Sequence, residues 1–417
     1  MSIRNSRREG QPELLWLSLL IAVLLSAIVI FQGAAEPAPH PSDQAFLTYA
    51  DMRLHRASDH WEFQYPHLQW SGGISSTGAV GIYKLLINPS TELLNWHIKL
   101  TAMVLWLVSA LYLIRKLIND RWVGALALLG TGALGLQFIE PTSELIGATF
   151  FNLFVLLICR QRFLLGGISL ALFGLAKVEM LPASLLVLSY AAWRYRQPES
   201  MRLLFGYCFT IVLLVAPALY IHGSDGLLGG RALAVFQFHY DLYGMGSSLA
   251  GAHTPFSEAF NNPSSVMQAV LSNPREYTVF IGQSLIESLA NLFISEHFYI
   301  LGFLVIFWFG KHWRPELGAM SDNLNAAASV TFLLLIITVA VSTIFAFVHF
   351  RYTTRFAALV TILFAAMLER TCTQPEKYCR TPPTPGRCLS TLRITLGVLA
   401  FGGILRVPWM MAHPMKW

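Results

Sequence analysis

Apolar runs of nearly bilayer-crossing length recur along the whole chain, and they leave little sequence from which a soluble core could be built. They lie at 14–33, 96–114, 122–139, 144–159, 163–176, 180–194, 203–222, 292–310, 326–348, 353–368 and 390–408. Each is near or slightly under the ~20 residues that a helix needs to cross the hydrocarbon layer. With 55% hydrophobic residues, 12% charged residues and a mean hydropathy of +0.53 over 417 residues, the chain is far more apolar than a soluble globular protein. The expected fold is all-α: a polytopic transmembrane bundle of about eleven helices, forming one membrane-embedded domain over 1–417. Only Lys177-Val178-Glu179 separates 163–176 from 180–194, so these two runs form either a tight hairpin or one broken helix.

Orientation follows from the basic residues, which short cytoplasmic loops collect. A cytoplasmic N-terminus puts Arg4, Arg7 and Arg8 inside, followed by Arg115, Lys116 and Arg121, then Arg160 and Arg162, then Arg194, Arg196 and Arg202. Lys311, Arg314, Arg370, Lys377, Arg380 and Arg387 continue the alternation. The net charge of +6 is thus accounted for by topology, and no phosphate-cradling loop or compact basic domain points to nucleic acid. The first run is too long for the apolar region of a cleavable signal and reads as a signal anchor. The expected location is a bacterial inner membrane.

Three segments interrupt the apolar pattern. The first outer loop, 34–95, is expected to carry interfacial helices, because Phe46, Tyr49 and Met52 recur at a spacing of three beside Arg53, His55 and Arg56. The second, 223–290, is also outside and holds aromatic and acidic residues around Phe236 to Asp241. The third, 370–388, is read as a flexible cytoplasmic connector. Its Cys372, Cys379 and Cys388 are expected to be thiols in a reducing compartment. Ionisable residues avoid the middles of the spans, and the two halves do not mirror one another as in inverted-repeat transporters.

This topology gathers Asp43, Asp51, Asp59, Glu62, Glu140, Glu144, Lys177, Glu179, Arg231, Asp241, Arg351 and Arg355 on the outer side. A carboxylate there can deprotonate an acceptor hydroxyl, while the cations hold a phosphate and stabilise its developing charge. That combination suits glycosyl transfer from a lipid-linked phosphosugar.

The run Asp43 to Ala50, then Ser58-Asp59-His60-Trp61 and Tyr65-Pro66-His67, resembles the first outer loop of the GT-C superfamily. These are polytopic glycosyltransferases that use polyprenyl-phosphate sugars, among them protein O-mannosyltransferases and the aminoarabinose transferase of lipid A. Glu140-Pro141-Thr142-Ser143-Glu144-Leu145 is similar to the family's second acidic site. Gly174-Leu175-Ala176-Lys177 is similar to a frequent segment ending in Lys, and His349-Phe350-Arg351-Tyr352 to the late Arg-Tyr motif. The resemblance covers 14–368 and rests on the order of the motifs. It implies Asp43 as the general base and Glu144 as a second catalytic acid, with Lys177, Arg351, Arg355, Asp59, Tyr65 and His67 on the substrate. The implied partners are a polyprenyl-phosphate-linked sugar, a glycan, lipid or protein acceptor, and membrane lipids. Gln44 stands where the family usually has Glu, and His67 where it has a second Pro, so the identity of the acceptor does not carry over.

Each residue also has a purely structural role open to it. Asp43 suits a helix N-cap, and Glu144 the positive end of its helix. Lys177 suits an interface anchor, and Arg351 with Arg355 a pair of headgroup contacts. No cofactor is expected; His60, Glu62 and His67 are too irregularly spaced to favour a divalent metal. The competing functions are a lipid or polysaccharide transporter without covalent chemistry and a non-catalytic subunit of an envelope assembly.

Overall fold

The computed structural model describes residues 12–33, 95–135, 142–176, 180–195, 197–222, 233, 236–237, 240–241, 254–295, 327, 329–331, 333–334, 337, 340, 350–373 and 385–412. Among the described residues every regular element is a helix: α1 (Pro12–Gly33), α2 (Asn95–Leu117), α3 (Arg121–Gly135), α4 (Thr142–Cys159), α5 (Phe163–Ala176), α6 (Met180–Arg194), α7 (Glu199–His222), α8 (Phe256–Ala259), α9 (Val266–Ser272), α10 (Pro274–Ser295), α11 (Phe350–Thr373) and α12 (Pro385–Ala412). The described residues therefore form an all-helical bundle, and α1 to α7, α11 and α12 follow the apolar runs.

Charge and capping set the helix ends. Arg115 and Lys116 occupy the last turn of α2, where cations complement the negative end of the helix dipole. Asp120 then caps α3, its Oδ1 accepting from the backbone N–H groups of Trp122 and Val123, both at 3.0 Å. Between α4 and α5 the chain turns through Arg160, Gln161 and Arg162, with Gln161 in the left-handed region at φ 58°.

The core runs through α2, α3, α4 and α11, with α1 and α12 packed on α3, and α5 to α7 stacked beyond α4. Trp106, Phe151, Phe154 and Phe173 are its largest fully buried side chains. The tightest crossing is α5 on α7. A β-carbon on Gly167 would sit 2.0 Å from the Leu203 carbonyl oxygen, and one on Gly206 would sit 2.2 Å from that of Leu164. Small residues at such crossings let two backbones touch, which is how helices associate where burial from water supplies no drive.

A second, separate core forms from Phe236, Tyr240, Phe256, Phe260, Ala269 and Phe280. Phe236 is its centre, with ring centroids 4.6 Å from Phe280 and 4.9 Å from Phe256. Asp241 accepts from the Phe256 backbone N–H at 2.7 Å, and the Tyr240 hydroxyl donates to Glu276 at 2.7 Å. The 223–290 segment thus contains packed helices, and the run expected at 292–310 overlaps the end of a helix that already begins at Pro274.

The bundle's outer surface is apolar. On α1, Trp16, Leu17, Leu20, Leu24 and Ile28 are exposed opposite the buried Leu15, Leu19 and Ala22. Phe205, Phe209, Val212 and Leu213 do the same on α7, and Ile394, Val398 and Phe401 on α12. Among the described residues, one stretch, Leu100–Leu117, is both long and apolar enough to cross a membrane by length and composition; Glu13–Ile28, Leu145–Cys159 and Phe163–Ala176 are apolar but shorter.

One expectation about the connector is corrected. α11 continues to Thr373 and α12 begins at Pro385, so the connector is shorter than 370–388, and the residues between, on which the expected flexibility falls, lie outside the described residues. Cys372 and Cys388 form a disulfide rather than standing as thiols. The reason is tertiary: the end of α11 packs against the start of α12 and brings the two Cα atoms to 5.2 Å. Cys379 lies outside the described residues.

Candidate functional site

The two ends of the bundle differ in chemistry. The Arg160 guanidinium at the end of α4 lies 5.8 Å from the Tyr112 ring centroid near the end of α2. Phe163 at the start of α5 packs on Tyr195 just after α6, with centroids 4.9 Å apart. Glu369 near the end of α11 accepts from the backbone N–H of Asn119 and Asp120 in the α2–α3 turn. These contacts collect Arg115, Lys116, Arg121, Arg160, Arg162, Arg194, Arg202, Arg370, Arg387 and Arg393 at one basic end.

The opposite end therefore holds the starts of α4 and α11 and the end of α5. Glu144 lies in the first turn of α4, and Arg351 and Arg355 in the first two turns of α11. α4 and α11 pack directly on one another. A β-carbon on Gly147 would touch the Ala176 side chain at 3.4 Å, so the last residue of α5, the one before Lys177, abuts the first turns of α4. The backbone thus brings the helix positions of Glu144, Arg351 and Arg355 to one end, beside the residue that leads into Lys177. Asp43, Asp59, Tyr65, His67 and Lys177 lie outside the described residues, as does the first outer loop up to Asn95. Among the described residues no group of three or more His, Cys, Asp or Glu side chains could hold a metal ion.

The best-defined polar cluster is at the basic end and joins positions about 250 residues apart in sequence. Glu369 is 2% exposed, and its carboxylate oxygens accept from Asn119 N–H at 2.9 and 3.1 Å and from Asp120 N–H at 2.6 Å. Burial pushes the Glu369 carboxyl up; the two backbone N–H groups oppose that, the Asp120 charge adds to it, and the net direction is upward. Asp120 also pairs with Arg393. Burial pushes the Asp120 carboxyl up too, but the Arg393 hydrogen bond, the N–H of Val123, the Arg393 charge and the N–H of Trp122 outweigh it and hold it below the usual range. These hydrogen bonds and the pair with Arg393 tie the α2–α3 turn to α11 and α12. A lone Glu at the end of an apolar run gave no hint of those partners.

Deeper in the bundle, Asn152 donates to Ser109 Oγ at 3.0 Å across α4 and α2. Asn152 Oδ1, Trp106 Nε1 and Thr131 Oγ1 are buried and without a hydrogen-bond partner. The described residues define an all-α protein with one basic end, an apolar flank and acidic and basic helix starts at the far end. No family model, curated protein or solved structure matches the chain.

Proposed function

We propose that the chain is a polytopic membrane protein of about eleven spans, and that it moves a sugar from a polyprenyl-phosphate donor to a cell-envelope acceptor on the outer face of a bacterial inner membrane. The membrane placement is supported by two apolar faces: Phe205 and Val212 on α7, and Val398 and Phe401 on α12, are each over 60% exposed, and large exposed apolar faces are rare on soluble monomers. The basic residues at one end support a cytoplasmic orientation for that end.

The observation that carries the transferase reading is that three helix ends lie at one end of the bundle. The starts of α4 and α11 and the end of α5, which bear or adjoin the acidic and Arg-Tyr motifs and Lys177, share the end opposite the basic one. In the proposed reaction Asp43 takes the proton of an acceptor hydroxyl as its oxygen bonds to the anomeric carbon, and the bond from that carbon to the phosphate oxygen breaks. Attack opposite the leaving group inverts the anomeric centre. Polyprenyl phosphate departs with the bonding electron pair, its charge stabilised by Lys177, Arg351 and Arg355. Glu144 orients the acceptor or the sugar, and Asp59, Tyr65 and His67 contribute to substrate binding.

The test is sugar transfer from a labelled polyprenyl-phosphate donor into a membrane extract. Asp43→Asn, which keeps size and capping ability, is expected to bind donor but transfer ~10²-fold or more slowly. Arg351→Ala is expected to weaken donor binding as well as turnover. Transfer at the wild-type rate by folded Asp43→Asn removes that residue as the base. A wild-type protein that leaves every donor intact favours a transporter instead.

A further inference from the structure

At the corner where α2, α4 and α5 meet lie four cations, none of which forms an ion pair with an acid among the described residues. Arg160 stacks over Tyr112 at 5.8 Å. Arg115 and Lys116 lie three and four residues beyond Tyr112 on α2, on the same helix face. Arg162 follows through the left-handed turn at Gln161. All four are exposed, and among the described residues the one ion pair is Arg393 with Asp120. The side of the bundle above this corner is apolar: Leu105, two turns before Tyr112 on α2, and Leu164 and Leu165 on α5 are 42 to 50% exposed. Along one face of α2 the exposed residues thus pass from aliphatic Leu105 to half-exposed aromatic Tyr112 to basic Arg115 and Lys116.

That order matches a phospholipid read from acyl chain to glycerol region to phosphate. A free anion has no use for the aliphatic and aromatic part of the surface. A phosphodiester with a negatively charged headgroup fits both parts, and arginine donates to phosphate through two parallel N–H groups. We infer that the α2–α4–α5 corner is a binding site for an anionic phospholipid of the cytoplasmic leaflet, held by Arg160, Arg162, Arg115 and Lys116 with its chains along Leu105, Leu164 and Leu165. This rests on the membrane placement and orientation proposed above, but not on the transferase chemistry.

The experiment uses the purified, delipidated full chain in detergent, titrated with phosphatidylglycerol or phosphatidylcholine, with bound lipid counted by native mass spectrometry. Phosphatidylglycerol is expected to bind more tightly than phosphatidylcholine, and inorganic phosphate in excess is expected not to displace it. Arg160→Gln and Arg162→Gln should each weaken phosphatidylglycerol binding by about fivefold, from the typical contribution of one basic residue at a charged lipid surface. Arg387→Gln, an exposed cation elsewhere at the same end, should leave it unchanged. Arg160→Lys should retain most of the binding, which separates loss of charge from misfolding. Equal binding of the two lipids, equal loss in Arg387→Gln, or displacement by inorganic phosphate overturns the proposal. Release of the wild-type chain from membranes by alkaline carbonate overturns the membrane placement and this site together, whereas a retained chain without lipid preference overturns this site alone.

Discussion

Two carboxylates with opposite shifts, Asp120 and Glu369, hold the basic end together. Asp120→Ala removes the N-cap of α3 and the partner of Arg393, and is expected to cost ~1–2 kcal/mol. Asp120→Asn keeps the cap and should cost no more than ~1 kcal/mol. Because its folded carboxyl lies below the unfolded value, the Asp120 contribution is full above the unfolded pKa and is lost as pH falls through the folded one. The gap in thermal stability between wild type and Asp120→Asn should therefore close in acid. Glu369 has the opposite sign: with its folded carboxyl raised, its contribution is full below the unfolded pKa and diminishes as pH rises through the folded one. Glu369→Ala should cost ~1–3 kcal/mol for each N–H group it strands, whereas Glu369→Gln retains an acceptor without the buried charge and should cost less. Thermal melts of these variants in detergent between about pH 3 and 8 check both signs, a window chosen to bracket ordinary carboxyl values.

The crossing of α5 on α7 is decided at the level of elements, because neither helix has an amphipathic pattern to hold it there. A β-carbon at Gly167 or Gly206 meets backbone oxygen rather than a side chain that can swing away, so Gly167→Ala and Gly206→Ala must part the helices. Each is expected to lose ~1–3 kcal/mol. Gly282→Ala on α10, where an added β-carbon meets nothing within 4 Å, should be neutral or slightly stabilising. Equal thermal shifts for all three would show that the crossing is not tight. The Cys372–Cys388 bond is likewise a relation between elements, since it clasps the end of α11 to the start of α12. Both cysteines are buried, which keeps the bond away from soluble thiols.

For the whole molecule the decisive prediction is sidedness. Single cysteines in place of the exposed Met267, in the segment before α10, and the exposed Pro198, between α6 and α7, should react with an impermeant reagent from outside and only after permeabilisation, respectively. Reversed labelling would put the basic end, with its disulfide, in the oxidising compartment and the proposed acidic and Arg-Tyr site in the cytoplasm. The helices of α1 to α7, α11 and α12 were legible from sequence, because apolar runs bounded by Arg, Lys, Asp or Pro leave little alternative to a helix, and runs such as 163–176 and 180–194 agree with α5 and α6 to the residue; α8 to α10 were not, since their segment was read as an outer loop. The basic end was legible too, since loop charges alternate along the chain. The Glu369 contacts, the Cys372–Cys388 pair, the aromatic core around Phe236 and the glycine crossing of α5 on α7 were not. Each depends on which helices become neighbours, and helices that are apolar all round carry no stripe from which a neighbour can be read. Local sequence set where the chain is helical and which ends carry charge; tertiary packing alone decided which of those ends meet.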